Sequence, residues 1–91
     1  MLTLKEIQEG MKSLRGWSLE GEVIVKDFSF KDFKESLAFV NKVGEIAEKE
    51  GHHPDIVLSY NRVRLMLTTH SSKGLTAKDF EVAALLDQLL S

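Results

Sequence analysis

The chain carries three histidines, and their spacing is the chemistry it offers. His52 and His53 are adjacent and are followed by Pro54 and Asp55. His70 lies a strand's length further on, past Tyr60-Asn61-Arg62-Val63. Histidine is the side chain that both gives and takes a proton near neutral pH, and three of them in this arrangement read as one acid–base site. Pro54 pushes His53 toward extended backbone, where consecutive side chains point to opposite sides. The two neighbours therefore need not serve the same wall: one can carry a proton while the other orients substrate or backbone. His70 ends a predicted strand and precedes the polar loop Ser71-Ser72-Lys73-Gly74, a usual setting for functional groups. Taken singly, each histidine also has a plain reading as an incidental loop or strand-end residue.

Three imidazoles also invite a metal reading, since histidine is a zinc ligand. The sequence offers no evident fourth ligand, and adjacent ligands are awkward in an extended segment, so the expectation is acid–base chemistry with no metal and no cofactor. Asp79 lies three residues after Thr76. A carboxylate in a first helical turn favours the helix dipole, and the same position can orient a histidine or contact a ligand. Trp17, the only tryptophan, reads first as core, although a flat ligand needs flat apolar contacts. Lys49 and Lys73 read as solvated cations or as an anionic ligand's rim.

These residues must be positioned by short elements. Thr3 and Glu6 have capping-box spacing for a first helix, whose face is Ile7, Met11 and Leu14. Trp17-Ser18-Leu19 and Val23 to Phe28 read as two strands joined at Glu20-Gly21. Ser29 is a candidate cap for a second helix, with Asp32 at its third position. That helix places Phe33, Leu37, Val40, Gly44 and Ala47 on one face. Phe39, Val43 and Ile46 widen the face beyond the stripe of about 100° that docking on a sheet requires. Glu50-Gly51 stops it. Asp55 to Tyr60 and Arg62 to His70 read as two more strands around Asn61, with Val63, Leu65, Leu67 and Thr69 on one face of the second. Thr76 caps a third helix with Val82, Leu86 and Leu89 as its stripe and Leu85 and Leu90 beside it. The order α-β-β-α-β-β-α predicts an α+β two-layer sandwich, a four-stranded antiparallel sheet with three helices on one face.

Composition bounds the function. At 91 residues the chain reads as a single domain, residues 1–91. A domain of this size buries roughly 60–65% of its unfolded surface, a modest core that makes self-association an expectation. With 43% hydrophobic and 29% charged residues it reads as globular. A formal net charge of -2 gives no electrostatic reason to bind nucleic acid. No apolar run approaches the ~20 residues of a membrane span. The first ten residues carry Lys5, Glu6 and Glu9, unlike a signal peptide. The absence of cysteine excludes disulfides and is compatible with a cytoplasmic setting.

The segments Glu48 to Asp55, Tyr60-Asn61-Arg62-Val63, Thr68-Thr69-His70, Gly74-Leu75-Thr76 and Asp79 together resemble the pterin-4a-carbinolamine dehydratase family. Gly16-Trp17 and Phe28 to Phe33 look similar too, so the resemblance covers nearly the whole chain. It implies an α+β fold, assembly as dimers or tetramers, and dehydration of 4a-hydroxytetrahydrobiopterin to quinonoid dihydrobiopterin. That reaction regenerates the pterin spent by aromatic amino acid hydroxylases. By resemblance, His52, His53 and His70 are the active-site histidines, and Asp79, Trp17 and Pro54 match positions near the pterin. Ile56 departs from the tryptophan common at its position, and Ser71 from an acidic residue. The rival is a non-catalytic pterin- or protein-binding relative of the same fold.

Overall fold

The computed structural model describes residues 1–90. Its first helix, α1 (Leu4–Lys12), opens with the capping box that Thr3 and Glu6 predict. The Thr3 hydroxyl accepts from the Glu6 N–H at 3.2 Å, and Glu6 Oε1 accepts from the Thr3 N–H at 2.9 Å. Two donors that a helix start would otherwise leave unpaired are satisfied. The same bonds from Thr3 hold the Glu6 carboxyl below its ordinary value. Strands β1 (Ser18–Glu20) and β2 (Val23–Ser29) follow as an antiparallel pair.

The second helix, α2 (Phe33–Glu50), starts later than the sequence places it. Asp32, not Ser29, is its N-cap, its carboxylate accepting from the Glu35 N–H at 2.9 Å. Ser29 is still in the sheet opposite Arg62, and the Phe30 N–H donates to the Asn61 carbonyl at 2.8 Å. The backbone therefore cannot turn into a helix until it leaves this ladder. The helix is also rotated from the expected face. Its buried residues are Ser36, Phe39, Val43 and Ala47, whereas Phe33 and Leu37 stand 46% and 40% exposed. Phe39 and Val43 are thus core, and the surplus apolar edge is Phe33 and Leu37. The reason is Ser36, whose hydroxyl lies in hydrogen-bond reach of the Phe33 and Tyr60 carbonyls. A hydrogen-bonded serine can be buried, and hydrophobic periodicity does not count it.

Strands β3 (Asp55–Ser59) and β4 (Arg62–Leu67) complete an antiparallel sheet in the order β1-β2-β4-β3. In the β3–β4 turn Tyr60 takes the positive φ of 48°, and the Asn61 amide instead donates to the Phe30 carbonyl at 3.2 Å. Register sets Ile24 opposite Leu67 and Phe28 opposite Val63. These residues and Leu65 share the face that α1, α2 and the last helix, α3 (Ala77–Gln88), cover. Val82, Ala83 and Leu86 of α3 and Val43 of α2 are fully buried against it, and Ile7 and Met11 of α1 pack alongside. The expected sandwich is therefore the observed one. On the other face Asp27 and Arg64 pair across neighbouring strands at 2.9 Å, which holds the Asp27 carboxyl below its ordinary value.

Two strands are shorter than expected, β3 by its last residue, Tyr60, and β4 by more. β4 ends at Leu67, and His70 is not its last residue but the first of a 3-10 turn, His70–Ser72. The cause is Thr69, which pairs with Gly74 as an isolated bridge and closes the chain into a tight loop. Lys73 completes that loop at φ 54°.

Candidate active site

Gly51 places the first histidine. As the C-cap of α2 it takes φ 62°, ψ 31°, a left-handed conformation that costs other residues. The chain reverses there, and the His52 N–H donates back to the Ala47 carbonyl at 3.1 Å. The His52 ring is mostly covered, 13% exposed, and its Nε2 lies 2.6 Å from Asp79 Oδ1. Asp79 is wholly buried. Its other oxygen, Oδ2, accepts the Thr76 N–H at 2.9 Å and the Thr69 hydroxyl at 2.7 Å. Asp79 thus stands in the first turn of α3 with one oxygen on the helix start and the other on His52.

An ionised carboxylate only accepts, so Nε2 of His52 carries the proton in this contact. Among the described residues no buried side-chain nitrogen or oxygen lacks a partner. Nδ1 of His52 has no partner, so it is the nitrogen that reaches solvent. The pair is thus a clamped imidazole with one nitrogen fixed on a buried carboxylate and the other presented outward. A carboxylate so placed fixes both ring orientation and tautomer.

His53 turns the other way, as extended backbone before proline requires. Its Nε2 contacts Glu48 on the last turn of α2, and both side chains are exposed. Pro54 is buried between this segment and β3. His70 is exposed, with no hydrogen bond to its ring. It follows directly on Thr69, whose hydroxyl bonds the same Asp79 that holds His52. The fold thus ties the His52 and His70 segments to one carboxylate through two side chains, His52 and Thr69. Among the described residues no three histidine, aspartate or glutamate side chains group as metal ligands.

Trp17 bonds to Asp87 and not to the Asp79 network. It is buried in the core, edge-on to Phe28 with ring centroids 6.5 Å apart, and its indole N–H donates to both Asp87 oxygens at 3.1 Å. Lys26 reaches the same carboxylate at 2.9 Å. Core packing and a satisfied donor account for this tryptophan. Sequence reasoning missed Glu48, Thr69 and Thr76. Glu48 carries a faint signal, since a residue in the last turn of a helix lies close to the chain just past its stop. The threonines carry none, because nothing in a Thr-Thr dipeptide says which carboxylate it will meet.

Comparison with known proteins agrees with this architecture. The family described as Pterin 4 alpha carbinolamine dehydratase matches residues 1–89. A Nostoc relative named "Putative pterin-4-alpha-carbinolamine dehydratase" is 53% identical over 98% of this chain and 96% of its own. A relative of the same name from Sulfurisphaera tokodaii is 50% identical over 99% and 97%. The chain belongs to the pterin 4 alpha carbinolamine dehydratase family. Among solved structures, a transcriptional coactivator/pterin dehydratase from Brucella melitensis superposes with a TM-score of 0.93 at 37% identity, covering 99% of this chain and 98% of that one. A pterin dehydratase-like protein described as a RuBisCO assembly factor in the alpha-carboxysome shares the fold, with a TM-score of 0.71 at 23% identity over 82% and 89%.

Proposed function

We propose that this protein dehydrates 4a-hydroxytetrahydrobiopterin, a pterin carbinolamine, to quinonoid dihydrobiopterin, in the recycling of tetrahydrobiopterin. The observation that carries the reading is His52 clamped at 2.6 Å on the buried Asp79 in a chain of this family. Loss of water breaks the C4a–O bond. The departing hydroxide takes one proton and a ring N–H gives one up, so no electron leaves or enters the substrate. The reaction therefore needs only placed proton donors and acceptors, each typically worth ~10²–10⁴-fold. We assign that exchange to His52, His53 and His70. Asp79 fixes His52, Glu48 holds His53, and Pro54 sets the direction in which His53 leaves the backbone. Trp17 enters as a pterin contact only through the family resemblance, since its burial and its bond to Asp87 explain it without a ligand. The reading needs no cofactor, suits a reducing cytoplasm, and takes a pterin as its only small-molecule partner.

The test is direct. 4a-Hydroxytetrahydrobiopterin is generated chemically and its dehydration followed by absorbance with and without the protein. Catalysis raises the rate above that of buffer, in proportion to protein concentration. A rate equal to buffer would leave the non-catalytic reading, a protein that keeps the fold to bind a pterin or another protein.

A further inference from the structure

We propose that Thr69 is a positioning residue that sets the two histidine-bearing segments against each other. Its side chain fixes Asp79 for His52, and its backbone fixes the base of the loop carrying His70. The proposal rests on the acid–base reading of the site and adds to it a residue that touches no substrate.

A hydroxyl has one proton to donate. Asp79 Oδ2 has none, so the 2.7 Å contact uses the Thr69 proton. Thr69 Oγ1 also lies 2.8 Å from Thr76 Oγ1. With the Thr69 proton committed to Asp79, Thr76 is the donor in that second bond. The direction of the chain is then set: the Thr76 hydroxyl donates to Thr69, Thr69 donates to Asp79, and His52 donates to the remaining Asp79 oxygen. Asp79 has no exposed surface, so no solvent molecule substitutes for a lost donor without opening the core. Removing the Thr69 proton leaves the carboxylate free to rotate toward its other partners, and His52 follows it.

The backbone of the same residue does a second thing. Its N–H donates to the Gly74 carbonyl at 3.2 Å, and the Gly74 N–H returns to the Thr69 carbonyl at 3.4 Å. The Ser72 N–H also donates to that carbonyl, at 3.0 Å. His70 is thereby held in a closed loop whose base is Thr69. A residue that only filled space would need neither the hydroxyl's direction nor this double attachment.

The experiment compares Thr69→Val, which keeps the shape and loses the hydroxyl, with Thr69→Ser, which keeps the hydroxyl. Proton NMR follows the imidazole N–H of His52, which in a short bond to a carboxylate lies far downfield of the amides; its loss in His52→Ala assigns it. Turnover of chemically generated 4a-hydroxytetrahydropterin is measured in parallel. The expected result is that Thr69→Val loses or displaces the downfield resonance and lowers kcat by about tenfold or more, with KM nearly unchanged. Thr69→Ser restores both. A Val variant with the wild-type resonance and kcat overturns the proposal. So does a Ser variant as impaired as Val, or a wild-type spectrum without the resonance. If Thr69→Val does not fold by circular dichroism, Thr69→Ala removes the hydroxyl without placing a methyl against the carboxylate, and the same readings apply. If the wild-type protein proves inactive, the dehydratase reading falls, and the resonance alone decides the role of Thr69.

Discussion

Asp79 satisfies three donors with two oxygens, and that count makes it informative under substitution. Asp79→Asn keeps the size but offers one acceptor oxygen and presents an NH₂ where a donor already points. A buried donor left unpaired costs about 1–3 kcal/mol, so thermal unfolding of this variant shifts down together with its turnover. The histidines separate by the same logic. His52→Ala strips a donor from the buried Asp79 oxygen and destabilises by about 1–3 kcal/mol. His70→Ala removes an exposed ring and changes stability by no more than about 0.5 kcal/mol, while its turnover falls by ~10²-fold or more. Circular dichroism melts of the two variants check this. Equal melting points would mean that the His52–Asp79 contact contributes nothing to the fold.

The site's elements meet at the end of α2, where Gly51 and Glu50 do different work. Gly51→Ala meets no neighbour within 4 Å, but it forces a Cβ into φ 62°, at about 1–2 kcal/mol. Because His52 is the next residue, the variant also loses turnover. A fully stable, fully active Gly51→Ala protein would disprove the capping account. Glu50 accepts from Lys78 of α3 at 2.8 Å, which ties the two helices together. That bond holds the Glu50 carboxyl below and the Lys78 ammonium above its ordinary value. The glutamate's share of stability is present above the ordinary carboxylate range and is lost as pH falls through the lowered folded value. The lysine's share is present below the ordinary lysine range and is lost as pH rises through the raised one. Glu50→Gln therefore melts lower than wild type at neutral pH and converges with it in acid. Added salt narrows the neutral gap, since the pair is partly exposed.

At the scale of the molecule the open question is what covers the remaining apolar surface. Phe33, Leu37 and Tyr60 are each at least 40% exposed. The backbone carbonyls of Phe33 and Tyr60 meet at the Ser36 hydroxyl, where the start of α2 comes beside the β3–β4 turn, the opposite end of α2 from His52. Soluble chains rarely leave large contiguous apolar patches open, and two-fold pairing is the commonest way to close one. We expect at least a dimer in sedimentation equilibrium at micromolar concentration, and a smaller species for Leu37→Glu. A single wild-type species near the 10.3 kDa chain mass would contradict this. Among the described residues no helix is long and apolar enough to cross a membrane.

How much was legible in the sequence follows from how local each signal is. Helix caps at Thr3 and Thr76, the stop at Gly51, the alternation of Val63, Leu65 and Leu67, and the opposed directions of His52 and His53 depend on residues within a few positions of one another. Short-range geometry determines them, so the order of elements and the candidate histidines were readable without coordinates. The start of α2 was not, because a ladder bond from Phe30 to Asn61, 31 residues away in sequence, outcompetes the cap at Ser29. Nor was the buried face of α2, since Ser36 becomes core only when the Tyr60 carbonyl arrives beside its hydroxyl. The same holds for the site. Sequence determined which imidazoles are available and that a carboxylate stands at position 79. Only the tertiary structure decided that Asp79 clamps His52, and that Thr69 joins the carboxylate to the loop of His70. Those partners meet because α3 packs beside the end of α2, a long-range event on which no local spacing depends.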